Sequence, residues 1–397
     1  MAETPETIIS CAGIPLYLHG FSAIDSYLGH HNQTAAHIIC GADLADLARL
    51  FETLRYPGAE FADAALDGPK GKTWYFRCYD GDIRNYRSPS FAFLEFFQDC
   101  RTRNFLDPNS LYPLMRHLIK GTKPDDAFQW WKMPGTDHDS YRVLIDGAMI
   151  LAHYFPETGS KEINAITAEI PRLNNMLSPE VEEQRLLLIG LLKAANPAPG
   201  FELLKRCGFI SAFWRELAVL DDVDHAKEFH PEGNVWMHTM ETLRYRKPGS
   251  AGFDLRLSLG LLLHDIGKPL SDSAGHGQGL RRFDGHAELG ERQARRFLER
   301  LGFDAPLISD VCYLVRNHML PAALPRLPLI RTGQIMESPL FPALLELYRC
   351  DESSSFKGLD GYYQSSSAYQ AYLKHRRNPY RRADGKILKR EEIKLKE

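Results

Sequence analysis

The stretch Leu259-Gly260-Leu261-Leu262-Leu263-His264-Asp265-Ile266-Gly267-Lys268-Pro269 decides how the rest of the chain is read. Its apolar run predicts a buried helix, and Gly267 and Pro269 predict where that helix stops. A carboxylate in the last turn of a buried helix faces the negative end of the macrodipole and loses its hydration. A bound cation offsets both penalties, so Asp265 reads as a metal ligand with His264 beside it. The same dipeptide at His138-Asp139 closes the turn-rich stretch from Pro124 and has no such setting.

Seven of the fifteen histidines lie between His225 and His318. Helical spacing then puts metal-capable side chains where apolar ones are expected. One stripe runs Val311, Val315, His318; another runs Leu344, Leu347, Tyr348, Asp351; a third runs His286, Gly290, Ala294, Phe297, Leu301. A single buried histidine is ordinarily a core residue with a satisfied hydrogen bond. Several helices ending on the same oddity point instead to a shared ion.

His238, Leu262-Leu263-His264-Asp265-Ile266-Gly267-Lys268, Gly285-His286, Arg316-Asn317-His318 and Asp351 resemble, in order and spacing, the HD superfamily of metal-dependent phosphohydrolases. The fuller stretch His230-Pro-Glu-Gly-Asn-Val-Trp-Met-His238-Thr239 is similar to bacterial tRNA nucleotidyltransferases with a C-terminal HD domain. The resemblance implies that His238, His264, Asp265 and Asp351 hold one divalent metal. It implies that His286 and His318 complete a second site, with Asp265 bridging. Imidazole and carboxylate ligands without thiolates suit Mn, Ni, Co, Fe, Mg or Zn. Two such cations lower the pKa of a water between them and clamp a phosphoryl oxygen. Lys268 is placed to stabilise phosphate charge. His230 is a candidate to orient the site from outside the ligand set, and Arg281 and Arg282 are candidates for substrate contacts. His276, in the Gly-rich Gly275–Gly279 loop, reads as a surface residue.

The N-terminal part resembles the same family's polymerase head with its carboxylates missing. Leu18-His19-Gly20-Phe21-Ser22-Ala23-Ile24-Asp25-Ser26-Tyr27-Leu28-Gly29 is similar to the family's opening strand and Gly-Gly-x-x-Arg-Asp turn. Phe21 stands for the second glycine and Ile24 for the arginine. The family's next element is an Asp-x-Asp pair that holds catalytic magnesium, yet no Asp or Glu lies between Ser26 and Ala42. The pair Asp80-Gly81-Asp82 comes some forty residues too late and reads as a turn. Gln98-Asp99-Cys-Arg-Thr-Arg103-Asn104-Phe105 echoes the family's nucleotide-binding Glu-Asp-x-x-Arg-Arg-Asp-Phe motif, with Gln and Asn replacing acids.

The expected fold class is α+β: a degenerate nucleotidyltransferase-like α/β head (1–130), a helical neck (140–223), an all-α HD domain (224–375) and a basic tail (376–397). Expected strands are Pro15–Leu18, His37–Cys40, Thr73–Tyr79 and Phe91–Phe97, with a helix over Ala42–Leu54. Ser178 and Pro179 are expected to open an apolar neck helix over Val181–Ala195. Seven scattered cysteines without a CxxC pair fit reduced thiols in a cytoplasm rather than a disulfide frame. The acidic start, Met1 to Thr7, is unlike an export signal, and no run is long enough to span a membrane.

Net charge is −3, but Lys374 to Glu397 holds ten basic against four acidic residues, leaving 38 against 47 elsewhere. Such a tail either docks on phosphates or is simply a solvated terminus. The expected partner is a phosphorylated nucleotide or an RNA end, with tRNA as a further candidate and neither DNA nor a membrane implied. The leading function is HD-type phosphohydrolysis. The alternatives are a CCA-adding tRNA nucleotidyltransferase, against which the missing carboxylates count, and a non-catalytic RNA- or nucleotide-binding protein.

Overall fold

A computed structural model describes residues 5–29, 35–57, 62–86, 94–108, 137–155, 157–159, 161, 163, 179–224, 233–246, 253–271, 283–327, 329–355, 358–377 and 386–388. The fold is a small mixed-sheet head followed by a helical region, as expected for the α+β class. Two compact units emerge, one of 1–179 with 202–207 and one of 180–201 with 208–397.

The first unit is built on six strands: β1 (Leu16–His19), β2 (Ala35–Cys40), β3 (Ala64–Asp67), β4 (Thr73–Cys78), β5 (Phe97–Asp99) and β6 (Phe105–Leu106). Their order across the sheet is β3-β4-β2-β1-β5-β6, with β2 and β4 parallel and every other pair antiparallel. Three helices accompany the sheet, α1 (Pro5–Cys11), α2 (Phe21–Leu28) and α3 (Leu44–Leu50), and α4 (Asp137–Tyr154) follows.

Side chains alternate across a strand. Leu16, Ala36, Ile38, Cys40, Trp74 and Phe76 therefore share one face, where they pack with Ile9 and Leu47. Ile39 and Phe97 share the opposite face with Ile83 and Tyr86. Strand β2, the element expected to carry a carboxylate pair, thus presents His37 and Ile39 to that second face.

Several local expectations shift. Helix α3 begins at Leu44 rather than Ala42 because the Asp43 carboxylate accepts from the Asp46 N–H at 2.7 Å and caps it. It stops at Leu50, where Phe51 turns extended and buries its ring. The strand expected over 91–97 is Phe97–Asp99, residues 91–93 lying outside the described residues. Strands β3 and β6 were not anticipated; they are short edge strands with little alternation to read. Asp82 lies in the turn expected for it. It caps a short 3-10 turn and is held by Arg84 at 2.5 Å.

In the second unit, α5 (Val181–Lys193) is capped by Glu180, whose N–H donates to Glu183 at 2.8 Å; Pro179 precedes the helix instead of opening it, and Ser178 lies outside the described residues. Then come α6 (Val235–Arg244), α7 (Leu255–Leu263), α8 (His286–Arg300), α9 (Ala305–Asn317), α10 (Phe341–Ser353) and α11 (Asp360–Arg377). Asn234, Asp254 and Asp304 cap α6, α7 and α9 through their side chains. Helix α7 is the centre of the unit, with Leu257 and Leu259 to Leu263 all buried. At Gly260 a side chain would meet Leu314 at 3.0 Å and Leu347 at 3.2 Å, so α9 and α10 press directly on the α7 backbone. Arg246 donates to the carbonyls of Leu192 and Ala194 and to Ser258 Oγ, tying the end of α5 to α7. The seven cysteines are all free thiols. Among the described residues no helix is long and apolar enough to cross a membrane.

One buried group of the head yields a pH prediction. His19 is buried, stacks on Phe97 at 5.1 Å, and its Nε2 finds no hydrogen-bond partner among the described residues. Burial, then His37 and Arg77, pushes its pKa down to about 3. The unfolded chain takes up this proton near pH 6.5, while the fold refuses it until about pH 3. The associated stability is therefore present above pH 6.5 and is lost as pH falls through that window. At pH 5 the loss is about 2 kcal/mol. The variant His19→Phe keeps the stack and removes the titration. Urea midpoints for the head at pH 7 and pH 5 should fall further in the wild type than in this variant; equal falls would refute the assignment.

Candidate metal centre

Four histidines and two aspartates from α6, α7, α8, α9, α10 and the turns that follow them meet in the second unit. Helix α7 ends at Leu263, and His264, Asp265 and Ile266 lie in the turn that follows. Both His264 and Asp265 are buried there, the carboxylate beyond the helix's last hydrogen-bonded residue. His238 sits on the buried face of α6, His286 opens α8, His318 closes α9, and Asp351 lies in the last turn of α10.

Asp265 divides its two oxygens between two histidine pairs. Its Oδ2 lies 3.2 Å from His264 Nε2 and 3.7 Å from His238 Nε2. Its Oδ1 lies 3.6 Å from His286 Nε2 and 3.9 Å from His318 Nε2. The donor atoms of His238, His264 and Asp265 fall within 4.8 Å of one another, and so do those of Asp265, His286 and His318. Asp351 joins the first group, its Oδ1 being 3.0 Å from His238 Nε2 and 4.0 Å from His264 Nε2.

The protonation pattern tests whether these residues fit a cation. A backbone carbonyl only accepts, so the ring nitrogen facing it carries the proton. His264 Nδ1 donates to Leu261 O at 2.8 Å, His286 Nδ1 to Phe283 O at 2.6 Å, and His318 Nδ1 to Val315 O at 2.7 Å. Ser354 Oγ gives its proton to Asp351 O at 2.7 Å, which leaves it to accept from His238 Nδ1 at 3.2 Å. All four Nε2 atoms therefore point inward, those of His264, His286 and His318 as lone pairs and that of His238 toward the Asp351 carboxylate. They approach in pairs, His238 with His264 at 3.3 Å and His286 with His318 at 3.1 Å. Two neutral rings that face each other through lone pairs make no hydrogen bond. Burial and the neighbouring His264 push His318 down to about 4, against the pull of Asp265, so it does not supply the missing proton at neutral pH. The donors of each pair, with the Asp265 oxygen that faces them, fit a divalent cation.

The carboxylates are ready to ligate. Burial opposes ionisation of Asp265, but His264, Lys268 and His238 together hold it well below the ordinary range. Burial likewise opposes ionisation of Asp351, and the hydrogen bond from His238 outweighs it. Cys350, beside Asp351, points to Arg349 and Glu346, so among these residues no thiolate joins the set.

All six residues expected as ligands are thus brought together. Lys268 also arrives, its Nζ on Asp265 Oδ2 at 2.6 Å. His230, Arg281 and Arg282 lie outside the described residues. Two residues were not singled out as site residues. Ser354 sat unnoticed within the Ser353–Ser355 run; its position three residues after Asp351, one helical turn on, was the available signal. Gly267 was read only as a helix terminator. A Cβ there would lie 2.0 Å from His286 O and 2.4 Å from Gly290 N, so this glycine lets the first turn of α8 lie against the α7 exit.

Residues 212–342 match the family model described as HD domain. Over 177 residues, 44% of this chain and 39% of the relative, the sequence is 32% identical to the CC-adding tRNA nucleotidyltransferase of Thermus thermophilus. It is also 32% identical over 162 residues to the multifunctional CCA protein of Halorhodospira halophila, covering 41% of this chain and 36% of that protein. The chain therefore spans about two-fifths of the length of the curated relatives it matches. A solved CCA-adding enzyme in complex with ATP aligns over 94% of this chain and 81% of its own, at 11% identity and a TM-score of 0.45.

Two substitutions probe the residues that hold the ligands. Ser354→Ala removes the acceptor that fixes His238, and Mn affinity should fall by about 10- to 100-fold with the fold intact. Gly267→Ala forces α8 away and should cost about 1–3 kcal/mol in stability, with loss of metal from the His286–His318 side. Metal content after dialysis, measured beside thermal melts, checks both; unchanged content in Ser354→Ala would remove the positioning role.

Proposed function

We propose, for a chain that carries an HD domain over residues 212–342 and groups with the tRNA nucleotidyltransferases, that it is a metal-dependent phosphohydrolase. Its substrate class is a phosphomonoester or phosphodiester of a nucleotide or an RNA end. The observation that carries this reading is the division of the Asp265 carboxylate between two inward-facing histidine pairs. That arrangement suits one or two divalent ions, with His238, His264, Asp265 and Asp351 around the first and Asp265, His286 and His318 around the second. When bound, such ions supply Lewis acidity, acidifying a water and neutralising phosphoryl charge. The donor set of nitrogen and oxygen suits Mn, Ni, Co, Fe, Mg or Zn alike.

The chain's own residues do the rest. The four rings are fixed by their Nδ1 hydrogen bonds, so no reorientation is needed when charge develops. Lys268 holds an ammonium at the edge of the carboxylate, within reach of a phosphoryl oxygen brought to the same place. In this reading Arg281 and Arg282 remain candidate contacts to the substrate, and His230 a candidate to orient the site.

A second reading, nucleotidyl transfer to tRNA, is favoured by the similarity to tRNA nucleotidyltransferases and multifunctional CCA proteins. Against it stand His37 and Ile39 on β2, where a carboxylate pair would be needed to hold the ions for that reaction. Asp25, the matched aspartate of the opening turn, accepts from the Tyr154 hydroxyl at 2.7 Å.

The test uses the full chain, stripped and reloaded with Mn, Ni, Co or Mg, against p-nitrophenyl phosphate, bis-p-nitrophenyl phosphate and 2′,3′-cyclic AMP. Turnover should require metal and fall to the metal-free background in Asp265→Ala. Incorporation of CMP or AMP into tRNA should be absent. Bound metal without hydrolysis of any of these or of RNA-end phosphates would overturn the proposal, and nucleotide incorporation would install the second reading.

A further inference from the structure

Resting on the metal-centre reading, we infer that Lys268 is a built-in cationic occupant of the first ion site, which weakens metal binding there and leaves the second site untouched. Its Nζ lies 2.6 Å from Asp265 Oδ2, the oxygen that faces His264 and His238. The other oxygen, Oδ1, faces His286 and His318. The ammonium therefore bears on one of the two clusters and not equally on both.

The placement is built rather than incidental. Lys268 follows a tight turn closed by its own N–H on Asp265 O at 3.0 Å, which returns its side chain toward the carboxylate. The side chain is only 12% exposed, and Nζ sits 5.4 Å from the centre of the Phe283 ring. Phe283 also supplies the carbonyl that fixes His286. An aromatic face favours a cation at this distance, so the ring holds the ammonium where it is. A buried carboxylate without a counter-charge is strongly disfavoured. In the metal-free protein Lys268 provides that charge.

An ion held by His238, His264 and Asp265 Oδ2 would sit about 2.0–2.2 Å from that oxygen. It would lie close to the ammonium, with the two positive charges sharing one carboxylate oxygen in a poorly hydrated site. Whether Lys268 stays or swings away, the ion meets repulsion or must displace an existing ion pair. Either route lowers affinity at the first site. The second ion, bound through Oδ1 and two rings on α8 and α9, displaces nothing.

The experiment titrates metal-stripped full chain with Mn, reading free Mn by electron paramagnetic resonance, for wild type, Lys268→Met and Lys268→Arg. The wild type should show two classes of site. In Lys268→Met the weaker class should tighten by about tenfold or more, with the tighter class unchanged, and Lys268→Arg should behave as wild type. Melting adds a readout of opposite sign: metal-free Lys268→Met should melt below metal-free wild type, and the Mn-loaded variant at or above the loaded wild type. Should the stripped variant not fold, both proteins are purified loaded and challenged with EDTA, where slower Mn loss from Lys268→Met supports the inference and equal or faster loss overturns it. Unchanged or weaker Mn affinity in Lys268→Met overturns it as well. A wild type that binds no Mn overturns the metal-centre reading beneath it.

Discussion

The second unit depends on a single constraint: one ionised carboxylate, Asp265, is buried at the exit of its most apolar helix. Nothing in a hydrocarbon core tolerates that charge alone. Around it the chain collects four imidazoles, a second carboxylate and an ammonium; His264 and Lys268 come from the same α7 exit, and the other four groups each from a different helix or its end. The helices are placed so that their ends, rather than their middles, meet at this point. His286 opens α8, His318 closes α9, and Asp351 stands in the last turn of α10. A centre assembled from helix ends needs small residues where the ends crowd, which is why Gly267 and Gly290 face each other across the junction.

Much of this cluster was legible from sequence because its histidines and aspartates interrupt a pattern. Val311, Val315, His318 and Leu344, Leu347, Tyr348, Asp351 break an apolar stripe at a position where helical spacing demands burial, and the buried valines and leucines are where that spacing puts them. Residues that position these side chains interrupt nothing. Ser354 is a small polar residue in a run of serines, and its hydrogen bond to His238 spans more than a hundred positions. Gly267 reads as a helix stop because the backbone it nearly touches, at His286 and Gly290, is distant in sequence.

The head was legible in a different way. The alternation in Ala35–Cys40 and Thr73–Cys78 gave both strands to within a residue or two. The edge strands Ala64–Asp67 and Phe105–Leu106 escaped, being too short for any period to register. The limits of α3 and α5 moved because caps decided them. Asp43 and Glu180 set the first turns, and a cap is a matter of one side chain reaching one N–H. Propensity alone carries no such information.

The two faces of β2 bear on how each unit responds to mutation over long times. Ala36, Ile38 and Cys40 pack into one buried cluster, whereas Ile39 packs into another on the opposite face, the face to which His37 also points. Substitutions on one face of a strand leave the packing of the other largely alone, so a sheet can shed its chemistry and keep its fold. The helical centre has no such separation. His238, His264, Asp265 and His318 are themselves among the buried residues, on the same stripes that pack the unit. Drift at those positions disturbs the His/Asp cluster and the packing of the unit together, so in the helical unit the two cannot be lost one without the other.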